Sequence, residues 1–105
     1  MSTTTVVKPE QNHKVDLLPQ WNVILLDDDD HSYEYVIDML MDVFAHPVER
    51  AFQMAVEVDN TGQVIVDTTN YERALLKQEQ IHSYGPDPFI EGCKGSMTAI
   101  CEPAE

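Results

Sequence analysis

The apolar positions between Trp21 and Cys101 alternate between the short runs of strands and the three-and-four spacing of helices. Asn22–Leu26 reads as a first strand that runs directly into four aspartates, Asp27–Asp30. Tyr33, Val36, Ile37, Leu40 and Phe44 form the stripe of a helix, with Ser32 as a suitable N-cap and Glu34 as a favourable first-turn acid. Pro47 predicts the first position of a second helix, where its missing N–H costs nothing. Val48, Ala51, Phe52, Ala55 and Val56 are its stripe, and Asn60-Thr61-Gly62 ends it. Gln63–Val66 is a short β-branched strand. Thr69-x-x-Glu72 has the spacing of a capping box, so a third helix follows with Tyr71, Ala74, Leu75 and Ile81 inward, stopped by Gly85-Pro86. Asp87–Ser96 reads as a loop and Met97–Cys101 as the last strand.

The order β-α-α-β-α-β predicts an α+β sandwich: a three-stranded antiparallel sheet with three helices covering one face. A chain of 105 residues is long enough for one domain with a modest core. Met1–Gln20 lacks periodicity and is rich in Ser, Thr, Pro, Gln and Asn, so it reads as a flexible arm, with Leu17-Leu18-Pro19 touching the edge of a folded domain over 21–105. Met39 and Val58 lie off the main stripes. Together with Tyr33, Val36 and Ala55 they can surround a cleft between the first two helices, a second apolar surface of the kind that serves binding.

Charge narrows the partners. With 19 acids against 6 bases the net charge is -13, which repels phosphate backbones, so nucleic acid is excluded as a natural partner and cationic groups are favoured. No apolar run reaches the roughly 20 residues of a membrane span, and the N-terminus lacks the pattern of a signal peptide. Cys93 and Cys101 are not spaced as a metal motif and read as free thiols in a reducing cytoplasm.

Catalytic signatures are missing from the pattern. The four histidines, His13, His31, His46 and His82, are scattered, and neither a nucleophile elbow nor a phosphate-binding glycine loop is present. Asp27–Asp30 fails as a calcium loop, because the sixth residue from Asp27 is Ser32 rather than Gly and the twelfth is Asp38 rather than Glu. Neither a metal nor a cofactor is expected. The acids instead stand at the rim of an apolar helix face, an arrangement suited to a cation joined to a hydrophobic side chain. A free peptide N-terminus with a bulky first residue is such a ligand. Two other readings fit the acids alone: a small metal-binding protein using Asp27–Asp30 with Asp59, and a domain that binds internal basic peptides.

The run Val23-Ile24-Leu25-Leu26-Asp27-Asp28-Asp29, the segment Glu34-Tyr35-Val36-Ile37-Asp38-Met39-Leu40, the start of the second helix at Val48-Glu49-Arg50-Ala51, and the spacing through Val58 to Gly62 resemble the ClpS adaptor family over about Trp21–Cys101. The ribosomal-protein C-domain shares this fold, but the acidic charge opposes a ribosomal role. The resemblance implies a non-enzymatic adaptor that binds N-degrons, free N-termini with a bulky hydrophobic first residue, and delivers them to a Clp AAA+ unfoldase of the ClpA or ClpC type.

The resemblance also implies site residues. Asp27, Asp28 and Asp59 fall where the family binds the α-amino group; Asp27 replaces the usual Asn and Asp59 the usual His. Carboxylates still accept from an ammonium, although crowding them raises the pKa of one. His31, Tyr33, Val36, Met39, Ala55, Val58 and Met97 are the side-chain pocket it implies. Tyr33 replaces a gating Met and Ala55 a lining Met, which opens room for Ile and Val beside Leu and Phe. Glu72 and Lys77 match the unfoldase-facing pair; locally they also read as a capping residue and a solvated lysine. The Asp87–Ser96 loop is longer than the family's usual connection, and no role follows for it.

Overall fold

The computed structural model describes residues 19–104. Along the chain lie β1 (Trp21–Leu26), α1 (Tyr33–Phe44), α2 (Val48–Thr61), β2 (Gln63–Thr69), α3 (Tyr71–His82) and β3 (Thr98–Pro103). The sheet is antiparallel, in the order β2-β1-β3. Strand β1 is central because Val23, Ile24 and Leu25 are all buried, whereas the edge strand β2 alternates buried Val64 and Val66 with exposed Ile65. Val23, Leu25, Val64, Val66 and Ala99 point to one core, which the helices close with Tyr35, Leu40, Ala51, Met54, Ala74 and Ile81. Residues 1–18 of the expected arm, Leu17 and Leu18 included, lie outside the described residues.

Several local expectations change. Met39 and Val58 are core residues, with Met39 fully buried, so they form no second surface. Each helix is wedged between two neighbours and buries a face wider than a single stripe. For the same reason Phe52, Val48, Tyr71 and Leu75 from the expected stripes face outward. Asn70 rather than Thr69 caps α3, its side chain accepting from the Arg73 amide at 2.8 Å. Thr69 is still paired with Trp21 in β2, which therefore runs past Val66. Pro47 stands one position outside α2, as its N-cap. Helix α3 ends at His82, ahead of Gly85-Pro86, and β3 begins at Thr98, one residue after the buried Met97.

Lys77 is not a solvated lysine. It is only 9% exposed, and its ammonium donates to the Val43 carbonyl at 2.6 Å, 5.6 Å from the centre of the Phe44 ring. Helix α1 ends in a left-handed residue, Ala45 (φ 61°), without a basic residue in its own last turn. A cation from α3 thus meets the negative end of α1 and satisfies one of its unpaired carbonyls. Lys77→Met keeps the apolar stem and removes the donor. It should lower the unfolding free energy by roughly 1.5–3 kcal/mol, the range for a hydrogen bond with a charged group, measured by urea denaturation.

Candidate functional site

Strand β1 delivers its acids into a tight turn. The Asp27 amide donates to the Gly62 carbonyl at 3.0 Å, which ties the turn to the end of α2. Asp29 takes the left-handed conformation (φ 63°), which Asp tolerates better than most residues because its short side chain bonds locally. The Asp30 amide donates to Asp28 Oδ1 at 3.0 Å, and Asp27 Oδ1 stands 3.5 Å from the Asp29 amide. This geometry divides the run in two. Asp29 lies within electrostatic reach of Asp59 on α2, and Asp27 within reach of Tyr33 at the start of α1, while Asp28 and Asp30 line a cavity.

On the first side, the Tyr33 hydroxyl donates to Asp59 Oδ2 at 2.8 Å, joining the start of α1 to the end of α2. The Tyr33 ring meets Phe52 edge-on at 6.2 Å. Val36, one turn along α1, and Ala55 and Val58 on α2 are buried, as are Met39 and Met97. The crowding of carboxylates is expressed at Asp29: the Asp27 charge, with smaller contributions from Asp59 and Asp30, holds its pKa above the ordinary carboxylate value. The hydrogen bond to Asp59 raises the Tyr33 phenol likewise. This side therefore offers anionic oxygens beside an apolar interior.

On the second side the organising group is His31. Its side chain is 4% exposed. Nδ1 lies 2.9 Å from Asp28 Oδ1 and Nε2 lies 2.7 Å from the Gly95 carbonyl oxygen. Both partners are acceptors, so only the imidazolium, with two N–H donors, satisfies both. Burial on its own favours the neutral ring; the bonds to Asp28 and Gly95 and the charges of Asp28 and Asp87 outweigh it and raise the pKa. The Tyr35 ring packs against it at a 30° tilt with centroids 4.6 Å apart, and Cys93 Sγ is 3.5 Å from Nε2. His31 thus faces the turn and the loop rather than Val36 or Ala55.

The loop that sequence left without a role is anchored to the same helix end. Ser32 caps α1 by accepting from the Tyr35 amide at 3.2 Å. The Ser32 amide, which the third helical residue of a capping box would normally satisfy, donates instead to Asp87 Oδ2 at 2.7 Å, because Tyr35 has no carboxylate to offer. Asp87 Oδ1 accepts from the Phe89 amide at 2.8 Å. Burial pushes the Asp87 carboxyl up, but the bonds from Ser32 and Phe89 and the His31 charge hold it below its ordinary value. Farther along, the Tyr35 hydroxyl donates to the Gly85 carbonyl at 2.6 Å, and the Gly85 amide to Ser96 Oγ at 2.6 Å. Between turn and loop lies a cavity of about 420 Å³ bordered by Asp28, Asp30, His31, Ile90, Glu91 and Lys94.

Of the residues expected from sequence, Tyr33 and Asp59 are joined by a hydrogen bond between the start of α1 and the end of α2, Val36, Met39, Ala55, Val58 and Met97 belong to the core, and Asp28 and His31 pair with each other. Glu72 borders a separate groove with Pro19, Trp21 and Tyr71, where the two aromatic rings lie 4.7 Å apart. Sequence reasoning missed Asp29 as a member of the first acidic group and Asp87 as a distant cap. Only the unusual length of the loop signalled the second. Among the described residues no His, Cys, Asp or Glu side chains gather as a metal site, and no helix is long and apolar enough to cross a membrane.

Residues 17–87 match the family of the ATP-dependent Clp protease adaptor protein ClpS. The chain belongs to the ClpS family. It is 34% identical over 83 residues to the ClpS adapter of Nautilia profundicola, covering 79% of this chain and 84% of that one. The Synechococcus elongatus ClpS is 32% identical over 92 residues, 87% of this chain and 97% of the relative. The fold matches that of Agrobacterium tumefaciens ClpS2 bound to L-phenylalaninamide (TM-score 0.70, 21% identity, 82% of this chain and 98% of that one). As a ClpS protein the chain is a non-catalytic adaptor of the Clp protease. The long loop starts at Asp87, where the match to the ClpS family ends.

Two outcomes follow from the second side. Asp87→Ala strands the part-buried Ser32 amide, while the amide of exposed Phe89 turns to water, and should cost roughly 1–3 kcal/mol, the range for one unpaired buried donor, read by chemical denaturation. For His31, the folded pKa lies above the unfolded one. Its clasp is therefore fully present below the unfolded value and is lost as pH climbs through the folded value. The stability difference between the wild type and His31→Gln should shrink as pH rises from the ordinary imidazole range upward. NMR titration of the His31 ring should give a midpoint above that of a free histidine.

Proposed function

We propose that this ClpS protein recognises the free N-terminus of proteins and peptides with a bulky hydrophobic first residue, and hands them to an AAA+ unfoldase of the ClpA or ClpC type in the cytoplasm. The observation that carries the reading is the first side of the acidic turn: Asp27, Asp29 and Asp59 beside Tyr33, over buried Val36, Ala55 and Val58. An ammonium needs the first group and an apolar side chain the second. A related adaptor holding L-phenylalaninamide, an amine beside an aromatic side chain, supports the same chemistry.

In this mechanism the ligand's ammonium replaces the Tyr33 hydroxyl on Asp59 and is shared with Asp27, while Asp28, oriented by His31, adds charge from behind. Tyr33 then swings aside and the first side chain enters between Val36, Met39, Ala55, Val58 and Met97. Burying Leu or Ile contributes about 1.5–3 kcal/mol, and each charged hydrogen bond a similar amount. Association costs offset much of this, leaving low-micromolar affinity, about -8 kcal/mol. Ala55 leaves space near the ligand Cβ, so Ile and Val join Leu and Phe. Differences of a methylene or two are worth only ~1–3 kcal/mol, so the preference is graded. Glu72, on its groove with Trp21 and Tyr71, serves the unfoldase contact. Lys77 contributes by holding α1 against α3, since its ammonium is already engaged.

Fluorescence anisotropy with peptides that differ only at residue one tests the reading. Leu, Ile, Val and Phe should bind, Ala weakly, and N-acetyl-Leu not at all, because acetylation removes the charge. Tyr33→Phe, which frees Asp59, should tighten Leu binding about 10-fold or more, the worth of a hydrogen bond to a charged group. Equal binding of acetylated and free peptides would sink the amine site, and rejection of Ile and Val would sink the widened pocket.

A further inference from the structure

We propose that the outer face of the α1–α2 hairpin docks a basic amphipathic helix of a partner protein. Its floor is an apolar strip, Tyr33, Ile37 and Met41 on α1 beside Val48, Phe52 and Val56 on α2, and its edges are acidic. This surface lies outside the pocket proposed for a first residue and does not require that pocket to be filled.

The strip follows from two runs of residues four apart, each of which makes one row along its helix. Other rows supply the buried faces: Tyr35, Val36, Met39 and Leu40 on α1, and Ala51, Met54, Ala55 and Val58 on α2. The short link between Phe44 and Val48 makes the two helices an antiparallel hairpin. The Tyr33 and Phe52 rings meet at 6.2 Å and the Tyr33 hydroxyl reaches Asp59, so the two rows border one groove. At its other end Met41 and Val48 stand on either side of the link. Tyr33 and Met41 are 37% and 39% exposed, Val48 and Phe52 each 50%, with half-buried Ile37 and Val56 between them. One exposed apolar side chain is ordinary. Here four of the nine large apolar side chains exposed among the described residues stand on a single hairpin. Contiguous apolar surface of this kind marks an interaction site.

Charge says what covers it. The next row round α1 is Glu34, Asp38 and Asp42, and the next round α2 is Glu49, Gln53 and Glu57, all exposed. Asp42 accepts from the Tyr84 hydroxyl at 2.5 Å. The other four acids have no ion-pair partner among the described residues. Arg50 is the sole base on either helix, and two residues from Phe52 it stands about 160° round α2 from it. An apolar strip with acidic edges is complementary to a helix whose apolar stripe is edged by Lys and Arg. Nucleic acid and anionic bilayers are repelled by the same edges. A second copy of the chain would set acidic edge against acidic edge. From Tyr33 to Met41 the strip is about 12 Å long, so roughly two to three turns of a partner with apolar residues at i, i+3, i+4 and i+7 cover it. Both helices are held from behind by the core, so the surface is ordered before a partner arrives.

A general attraction of this acidic protein for cations must be separated from a local surface. The experiment uses the full chain and N-acetylated, C-amidated peptides, which lack the amine that N-terminal recognition needs. The first repeats Leu-Lys-Lys-Leu-Leu-Lys-Lys, so that its leucines share one helix face. The second has the same composition shuffled so that no stripe forms, and the third has Glu in place of Lys. Anisotropy should give the striped peptide a Kd about 10-fold or more below the shuffled one, and no binding of the Glu peptide. Met41→Ser with Val48→Ser should weaken the striped peptide about 10-fold and leave binding of free Leu N-termini unchanged. Asp38→Asn with Glu49→Gln should weaken it about 3–5-fold and flatten its salt dependence, whereas the equally charged control Glu79→Gln, Glu102→Gln should do neither. The amide resonances of Ile37 and Gln53 should shift on titration and those of Thr98 and Ile100 should not. Equal binding of striped and shuffled peptides, or a striped peptide indifferent to Met41→Ser with Val48→Ser, would overturn the proposal. So would a dimer abolished by that variant, which gives the strip to a second copy, or altered amide resonances of residues 1–18 in the peptide-free variant, which give it to the chain's own N-terminal segment. If the striped peptide binds as expected and free N-termini do not, only the earlier reading falls.

Discussion

Four consecutive carboxylates at the end of a buried strand are an electrostatic problem, and the rest of the site is arranged around its solution. Their mutual repulsion is reduced by giving the members different partners across a turn in which Asp29 is left-handed. Half of the charge then faces α2, where Asp59 adds to it and Tyr33 supplies a single donor. The other half is partly neutralised by His31, whose two nitrogens hold acceptors from segments far apart in sequence. Remove that division, and one side of the turn carries more negative charge than a single tyrosine can support.

The same logic explains why a long loop is bound to a helix N-terminus. The start of α1 has unpaired amide donors and the positive end of a dipole, and an acidic turn alone would leave the Ser32 amide without a partner. Asp87 supplies that acceptor from the far end of α3, buried where a carboxylate persists only because two amides and an imidazolium surround it. The loop thereby becomes part of the wall of the site instead of a solvated connection. Its glycines allow the close turns, and Gly92 sits at φ 83° where other residues are strained.

Much of this was legible in the chain and some was not, for physical reasons. Element order and the Ser32 cap follow from local pattern, because period and capping chemistry act over a few residues; the strand order β2-β1-β3 does not. Thr69 and Asn70 are equally good caps in isolation; pairing of Thr69 with Trp21 across the sheet decided between them. Met39 and Val58 looked peripheral because a stripe assumes one packing partner, whereas α1 and α2 each have several. Lys77 read as solvated because its type is polar, and nothing local reveals that the carbonyl end of α1 lies beside it. The gathering of Asp27, Asp59 and Tyr33 came through family resemblance. The His31–Gly95 and Ser32–Asp87 bonds span 64 and 55 residues, and no local pattern encodes contacts at that range.

The two sides of the turn are not independent, because they share Asp28. Its Oδ1 already accepts from the Asp30 amide and from His31. A carboxylate holding two donors on one oxygen keeps its acceptor capacity on the other, so Asp28 is a fixed, partly neutralised anion rather than a mobile one. In the recognition proposed above, that constraint gives direction at some cost in charge. The proposed discrimination among first residues needs that direction, since a side chain can be measured only when its amine is held at one point. Loss of the His31 proton leaves the ring a single N–H, enough for Asp28 or for Gly95 but not for both, so the link between turn and loop depends on protonation.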